Sequence, residues 1–214
     1  MHAATVTRVT GYRERPAPPS LRVEVECGWR AGVPAGAAPT SGSVLPDGCM
    51  DLIWIDGHVV VAGPDTAAHP VHRSAGSTAH GLRLHPGAAP ALLGVPATAL
   101  RDQRVPLAEI APAAARRTAR SVDDGRDPLA ALAALAFALR AEHGAPDPAV
   151  RVAARHIAAG HSVADTADAM GWTVRTLHRR AGADVAAHAG YADQPHLSRE
   201  IRDLAGVTAA SLRP

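Results

Sequence analysis

Hydrophobic positions along the first half of the chain alternate with polar ones, and along the second half they recur at helical spacing. In "LRVEVECGW" Leu21, Val23, Val25 and Cys27 alternate with Arg22, Glu24 and Glu26, which predicts a half-buried strand over 21–29 with the first set inward. "CMDLIWID" and "VVVAG" flank Asp56-Gly57, the pair that favours a two-residue hairpin turn. "AHGLRLHPG" predicts a further strand ended by Pro86-Gly87, and "RAGVPAGAAPTSG" (30–42) a loop between strands. Short strands separated by Gly and Pro point to a β-barrel or sandwich. After Pro106 the texture changes: residues 107–120 and 128–142 place Ala, Leu and Arg at helical spacing, and Asp127-Pro128 marks a helix start. Residues 147–159 predict another helix, with Asp147 as N-cap, Pro148 at the first position and Gly160 beyond its end. The fold class expected is α+β. A β-rich domain (1–106) is followed by a helical connector (107–146) and an all-α domain (147–214), with a boundary near residue 143.

From Ser162 the pattern is helix–turn–helix. Ser162 caps a helix from Val163 to Met170 whose Val163, Ala167 and Met170 share a face; Gly171 turns the chain, and Thr173 caps a second helix through Arg180. Trp172 and Leu177 are then inward, and Arg175, Thr176, His178 and Arg179 outward. A second copy follows nineteen residues on, with Asp184, Ala186, Gly190 and Tyr191 standing where Asp165, Ala167, Gly171 and Trp172 stood. Asp193 caps its helix, with Leu197, Ile201 and Leu204 inside and Gln194, His196, Ser198, Arg199 and Arg202 outside. Gln suits adenine, Arg suits guanine and Ser suits phosphate, so such a face fits direct reading of DNA bases. The plainer alternative for one copy is a helical hairpin with a solvated polar face; two copies in order weigh against it.

Charge changes this picture little. The net charge is +2, all 22 basic residues are arginine, and residues 147–214 carry eight Arg against seven Asp and Glu. Non-specific attraction to phosphate is therefore weak there, and any DNA affinity has to come from specific contacts. Cys27 and Cys49 are the two cysteines; with no signal peptide at the N-terminus they are expected as reduced thiols in a cytoplasmic protein. The longest apolar run, 128–139, is too short to span a bilayer, so no membrane partner is expected.

"SVADTADAMGWTVRTLHRR" and "DVAAHAGYADQPHLSREIRDLAGVTAASLR" resemble, in order, the two helix-turn-helix units and the terminal signature of the AraC family of transcription regulators, over roughly residues 149–214. "VLPDGCMDLIWIDG", "VAGPDT", "GLRLHPGAAPALLGVPATAL" and "RDQRVPL" resemble the sensor region of an actinobacterial-type subgroup of that family. The resemblance implies sequence-specific binding to double-stranded operator DNA by the outward residues of both units, a small-molecule effector sensed upstream, no cofactor and no enzymatic activity. RNA polymerase and a second copy of the chain, in a homodimer, are the further partners it suggests. In one respect the chain departs from the family: only "RAGA" (180–183) stands where the family has a long linker helix. That departure supports an alternative, a small-molecule-binding or interaction protein whose DNA binding is impaired.

Other chemistry is weaker. His58, His69, His72, His80 and His85 lie in the β-rich half, and His69-x-x-His72 could put two imidazoles on a metal. The pair is read as part of a Pro-containing loop, without the His-x-His and Glu of metal-binding cupins, and solvated histidines are the better reading; no metal ligand is assigned. Cys49, between Asp47 and Asp51, reads as a small apolar residue heading a strand rather than as a redox-active thiol. "LHPGAAPALLGVPA" lacks P-loop spacing, and no Ser-His-Asp or paired-carboxylate pattern supports catalysis.

Overall fold

The computed structural model describes residues 6–7, 11–177 and 180. The fold is mixed α+β, with β-sheets first and helices after. Among the described residues nine strands form two antiparallel sheets. Strands β1 (Val6–Thr7), β4 (Thr40–Val44) and β7 (His69–Arg73) make a three-stranded sheet in the order β1-β4-β7. Strands β2 (Arg13–Pro16), β3 (Val25–Gly32), β5 (Met50–Ile55), β6 (His58–Ala62), β8 (Thr78–Leu84) and β9 (Arg104–Pro106) make a six-stranded sheet ordered β2-β3-β8-β5-β6-β9. The β5–β6 hairpin turns at Asp56 (φ 49°) and Gly57 (φ 80°), the left-handed pair that matches the twist of the flanking strands.

Period-two alternation sorts the six-stranded sheet into two faces. Met50, Leu52 and Trp54 of β5, Val59 and Val61 of β6, and Leu82 and Leu84 of β8 enter one core together with helices α1 (Ala88–Leu93), α2 (Leu107–Ile110), α3 (Pro112–Asp123) and α4 (Pro128–His143). Helix α4 starts where Asp127 accepts a hydrogen bond from the Ala130 N–H at 3.0 Å, and it buries Leu132, Leu135 and Leu139 against the sheet. Each such leucine stabilises the fold by roughly 1.5–3 kcal/mol. The 107–120 segment is two helices rather than one, broken at Ala111 just before Pro112. Proline there has no N–H to continue the first helix and restricts its predecessor. The apolar side of the sheet, expected to line a barrel interior, is thus filled by helices of the same chain.

The strand expected over 21–29 begins only at Val25. A 3-10 turn at Pro19–Leu21 shifts the phase of the chain, so Val23 is 42% exposed while Glu24 is 1% exposed. The Glu24 carboxylate is held by Arg140 Nη1 of α4 at 3.1 Å, and the same nitrogen donates to the Ser20 carbonyl at 2.9 Å. A bulge between Val25 and Cys27 then puts Val25 in the helix-facing core and Cys27 on the opposite face. The predicted inward set Leu21, Val23, Val25 and Cys27 is accordingly split.

A second, smaller core lies further along the chain. Helix α5 (Pro148–Ala158) begins where Asp147 accepts from the Ala149 N–H, and α6 (Val163–Ala169) where Ser162 accepts from the Asp165 N–H. Val150, Ala153, Ala154, Ile157, Ala167 and Leu177 are buried together, with Val163, Met170 and Trp172 packed against them. Among the described residues no helix is long and apolar enough to cross a membrane.

Candidate functional site

Among the described residues two places gather side chains that could serve as a site. The first is the face of the six-stranded sheet away from the helices. Cys27, Trp29, Ala31 and Ala79 are buried there, with Tyr12, Ile53 and Ile55 against them, and the alternation of β5 and β8 adds Asp51 and Arg83 to the same face. The Trp29 indole lies across β8 at Gly81, where a Cβ would stand 2.2 Å from the ring, so a side chain at Gly81 would displace the tryptophan. The indole N–H donates to Asp51 Oδ1 at 2.6 Å. Arg83, 4% exposed, stands 3.5 Å from Asp47 and 3.9 Å from Asp51, and its Nε has no hydrogen-bond acceptor. Tyr12 tilts over Trp29 at 5.9 Å between ring centroids and donates its hydroxyl to Glu14 at 2.8 Å.

The charges in this cluster do not balance. Burial pushes the Asp51 carboxyl up to about 6 against the pull of Arg83, with Asp47 adding to the rise. Burial works against the Arg83 cation too, yet Asp51 and Asp47 more than offset it, so the guanidinium stays charged. The cysteines are the reverse of reactive. Burial first and then the neighbouring carboxylates push Cys27 up to about 12 and Cys49 well above the ordinary thiol range. The Cys49 thiol points at Glu26 Oε2, 3.6 Å away. A redox-sensing thiol needs an electropositive setting, and Cys49 has an acidic one.

The histidines of the β-rich half do not gather at one site, while His156 and His161 stack at 3.7 Å between ring centroids. His69 and His72 belong to strand β7, not to a loop, and His72 is exposed with Nδ1 2.9 Å from Ser41 Oγ. Burial lowers the pKa of His69, His80 and His85. Among the described residues no three His, Cys, Asp or Glu side chains gather as a metal ion would require.

The second place is the end of the described chain. After α6, Gly171 takes φ 65°, Thr173 Oγ1 accepts from the Thr176 N–H at 3.1 Å, and residues 174–177 are helical. The inward packing expected of Trp172 and Leu177 is present. Arg175 is exposed; Thr176 is half-buried, with its hydroxyl 3.0 Å from that of Thr173. Arg180 lies 4.9 Å over the Trp172 ring and pairs with Asp147 at 3.5 Å, so it braces the turn. His178, Arg179, Gln194, His196, Ser198, Arg199 and Arg202 lie outside the described residues.

The sheet cluster was not legible in the sequence. Trp29, Asp51 and Arg83 are far apart in the chain, and strand alternation alone could have paired Asp51 with Arg83 only if the β5–β8 register were known. Neither a curated protein nor a solved structure matches this chain. Residues 13–106 match a protein family described as a domain of unknown function, DUF6597.

Proposed function

We propose that this chain is a sequence-specific DNA-binding transcription regulator of AraC type, not an enzyme, acting in the cytoplasm on double-stranded operator DNA. The helices from α5 onward read DNA, and the sheet body senses a small-molecule effector. The observation that carries the reading is the local geometry after Ser162: a capped helix, a left-handed glycine, and a second capped helix that turns Trp172 and Leu177 inward and Arg175 out. A helix so braced offers its polar side to a major groove. The DUF6597 match supports the sensing role, because that domain is known in the N-terminal region of AraC-like regulators. Since helices fill the apolar side of the sheet, the effector is assigned to the face that carries Trp29, Asp51 and Arg83.

The test is a mobility-shift titration with the DNA upstream of the gene, repeated at rising salt. Wild-type protein should bind that DNA over unrelated DNA, and Arg175→Ala should weaken binding by about 1–3 kcal/mol, roughly tenfold or more, with an unchanged melting temperature. No preference for upstream DNA would remove the regulator reading. The second reading, a small-molecule-binding or interaction protein that has lost productive DNA binding, is favoured by the four residues 180–183 that separate the two repeated units. It predicts ligand-induced thermal stabilisation without a DNA shift.

A further inference from the structure

Helix α5 touches the sheet body along a thin seam. Its buried apolar residues Val150, Ala153, Ala154 and Ile157 belong to the small helical core, and none of them is part of the core under the six-stranded sheet. What joins the two is local. Val150, 4% exposed, presses on the corner between β8 and α1, where a Cβ on Gly87 would stand 2.5 Å from Val150 Cγ1. Arg151 Nη1 donates to the Arg22 carbonyl at 3.2 Å, while Arg151 Nε is buried without an acceptor. Val23, His85, Pro86, Pro146 and Asp147 line the remaining gap, which holds no more than a water-sized space.

His85 sits in this seam with its backbone N–H fixed to the Glu24 carbonyl at 2.8 Å. Its ring shares the gap with Arg151, and the charges that act on it are Glu26 of β3 and Arg151 and Arg155 of α5, together with the Arg22 carbonyl. That carbonyl is shared with Arg151 Nη1, and Arg151 Nε already lacks an acceptor in the seam before His85 gains a proton. A protonated ring adds a donor and a positive charge beside two arginines, with Glu26 as the one compensating anion. We propose that the seam between α5 and the β8–α1 corner is a latch that protonation of His85 loosens, releasing α5 and the helices after it from the sheet body. The latch holds whether or not those helices bind DNA.

The sign follows from burial. Burial foremost lowers the His85 pKa from 6.5 in the seated state; Glu26 and the Arg22 carbonyl oppose this, and the two arginines add to it. The released state therefore binds more protons, so seating is complete above the free-histidine value and weakens as pH falls below it.

The experiment is a spin-label distance measurement on the full chain, with labels at Val152→Cys on α5 and Arg117→Cys on α3, both exposed positions. Cys49→Ser removes the less buried native thiol. At about pH 7.5 one narrow distance is expected, and at about pH 5.5 a second, longer population should grow several-fold, the range over which histidine titrates. His85→Gln, which cannot be protonated in this range, should keep the single narrow distance at both pH values. Arg151→Met should show the long population at both. An unchanged narrow distance in the wild type, or a pH-dependent second population that persists in His85→Gln, would overturn the latch.

Discussion

Asp51 shows how one residue's setting outweighs its type. A free aspartate titrates near 3.8, and in the sheet cluster the carboxyl is held at about 6 by burial. The folded state thus binds more protons than the unfolded state between those values. Stability linked to Asp51 is full below about pH 4 and lost as pH rises through about 6. Other carboxylates act in the opposite direction, so the readout is the stability difference between wild type and Asp51→Asn. Asparagine keeps an acceptor for the Trp29 indole but carries no titrating proton. The wild type should lose on the order of 1–3 kcal/mol relative to the variant between about pH 4 and pH 7, measured by urea unfolding. A difference that stays flat across that range would place the Asp51 carboxyl in ordinary solvent.

At the scale of the element, the contact between Glu24 and α4 matters most, because it joins two segments far apart in the chain. The Glu24 carboxylate is almost wholly out of water, with Arg140 as its cationic partner and Oε2 already without a hydrogen bond. Arg140→Met would leave that charge buried and alone, at a cost of about 3–5 kcal/mol in unfolding free energy. Adding Glu24→Gln should recover part of the loss, since a neutral amide is cheaper to bury than a charge. If the single variant melts like the wild type, the ion pair contributes nothing to the stability of the turn before β3. The element scale also marks where alternation misleads. Leu21, Val23, Val25 and Cys27 read as one strand face, yet a 3-10 turn and a bulge send them to different environments. The hairpin at Asp56-Gly57 and the helices capped by Asp127, Asp147 and Ser162 were legible, because their signals act within a few residues.

Among the described residues, the core under the six-stranded sheet and the small helical core are joined by a thin seam. Residues 107–146, read as a connector, supply Leu107, Ala114, Leu132 and Leu139 to the larger core, so the sheet depends on them. The smaller core rests on few side chains, with Leu177 fully buried at its centre. Leu177→Asp should therefore abolish the helical unit while the sheet body keeps its own cooperative transition, because an unpaired buried carboxylate costs several kcal/mol and the two cores share little surface. Circular dichroism should show partial helix loss, and thermal unfolding should retain the main transition. Complete unfolding of the variant would mean that the two cores form one cooperative unit.

By itself the sequence determined the order of sheets before helices, the hairpin, the caps and the left-handed glycine after α6. Each depends on backbone preferences and hydrogen bonds within one turn of the chain. Only the tertiary structure decided which side of the six-stranded sheet is filled by helices, and therefore that an apolar interior is not left open. It alone decided that Glu24 is buried and Val23 exposed, that Trp29, Asp51 and Arg83 share a face, and that His85 meets Arg151. Those outcomes are set by strand register, by a one-residue bulge and by the docking of distant segments. A shift of one residue in register reverses every side chain of a strand, and no local pattern encodes it.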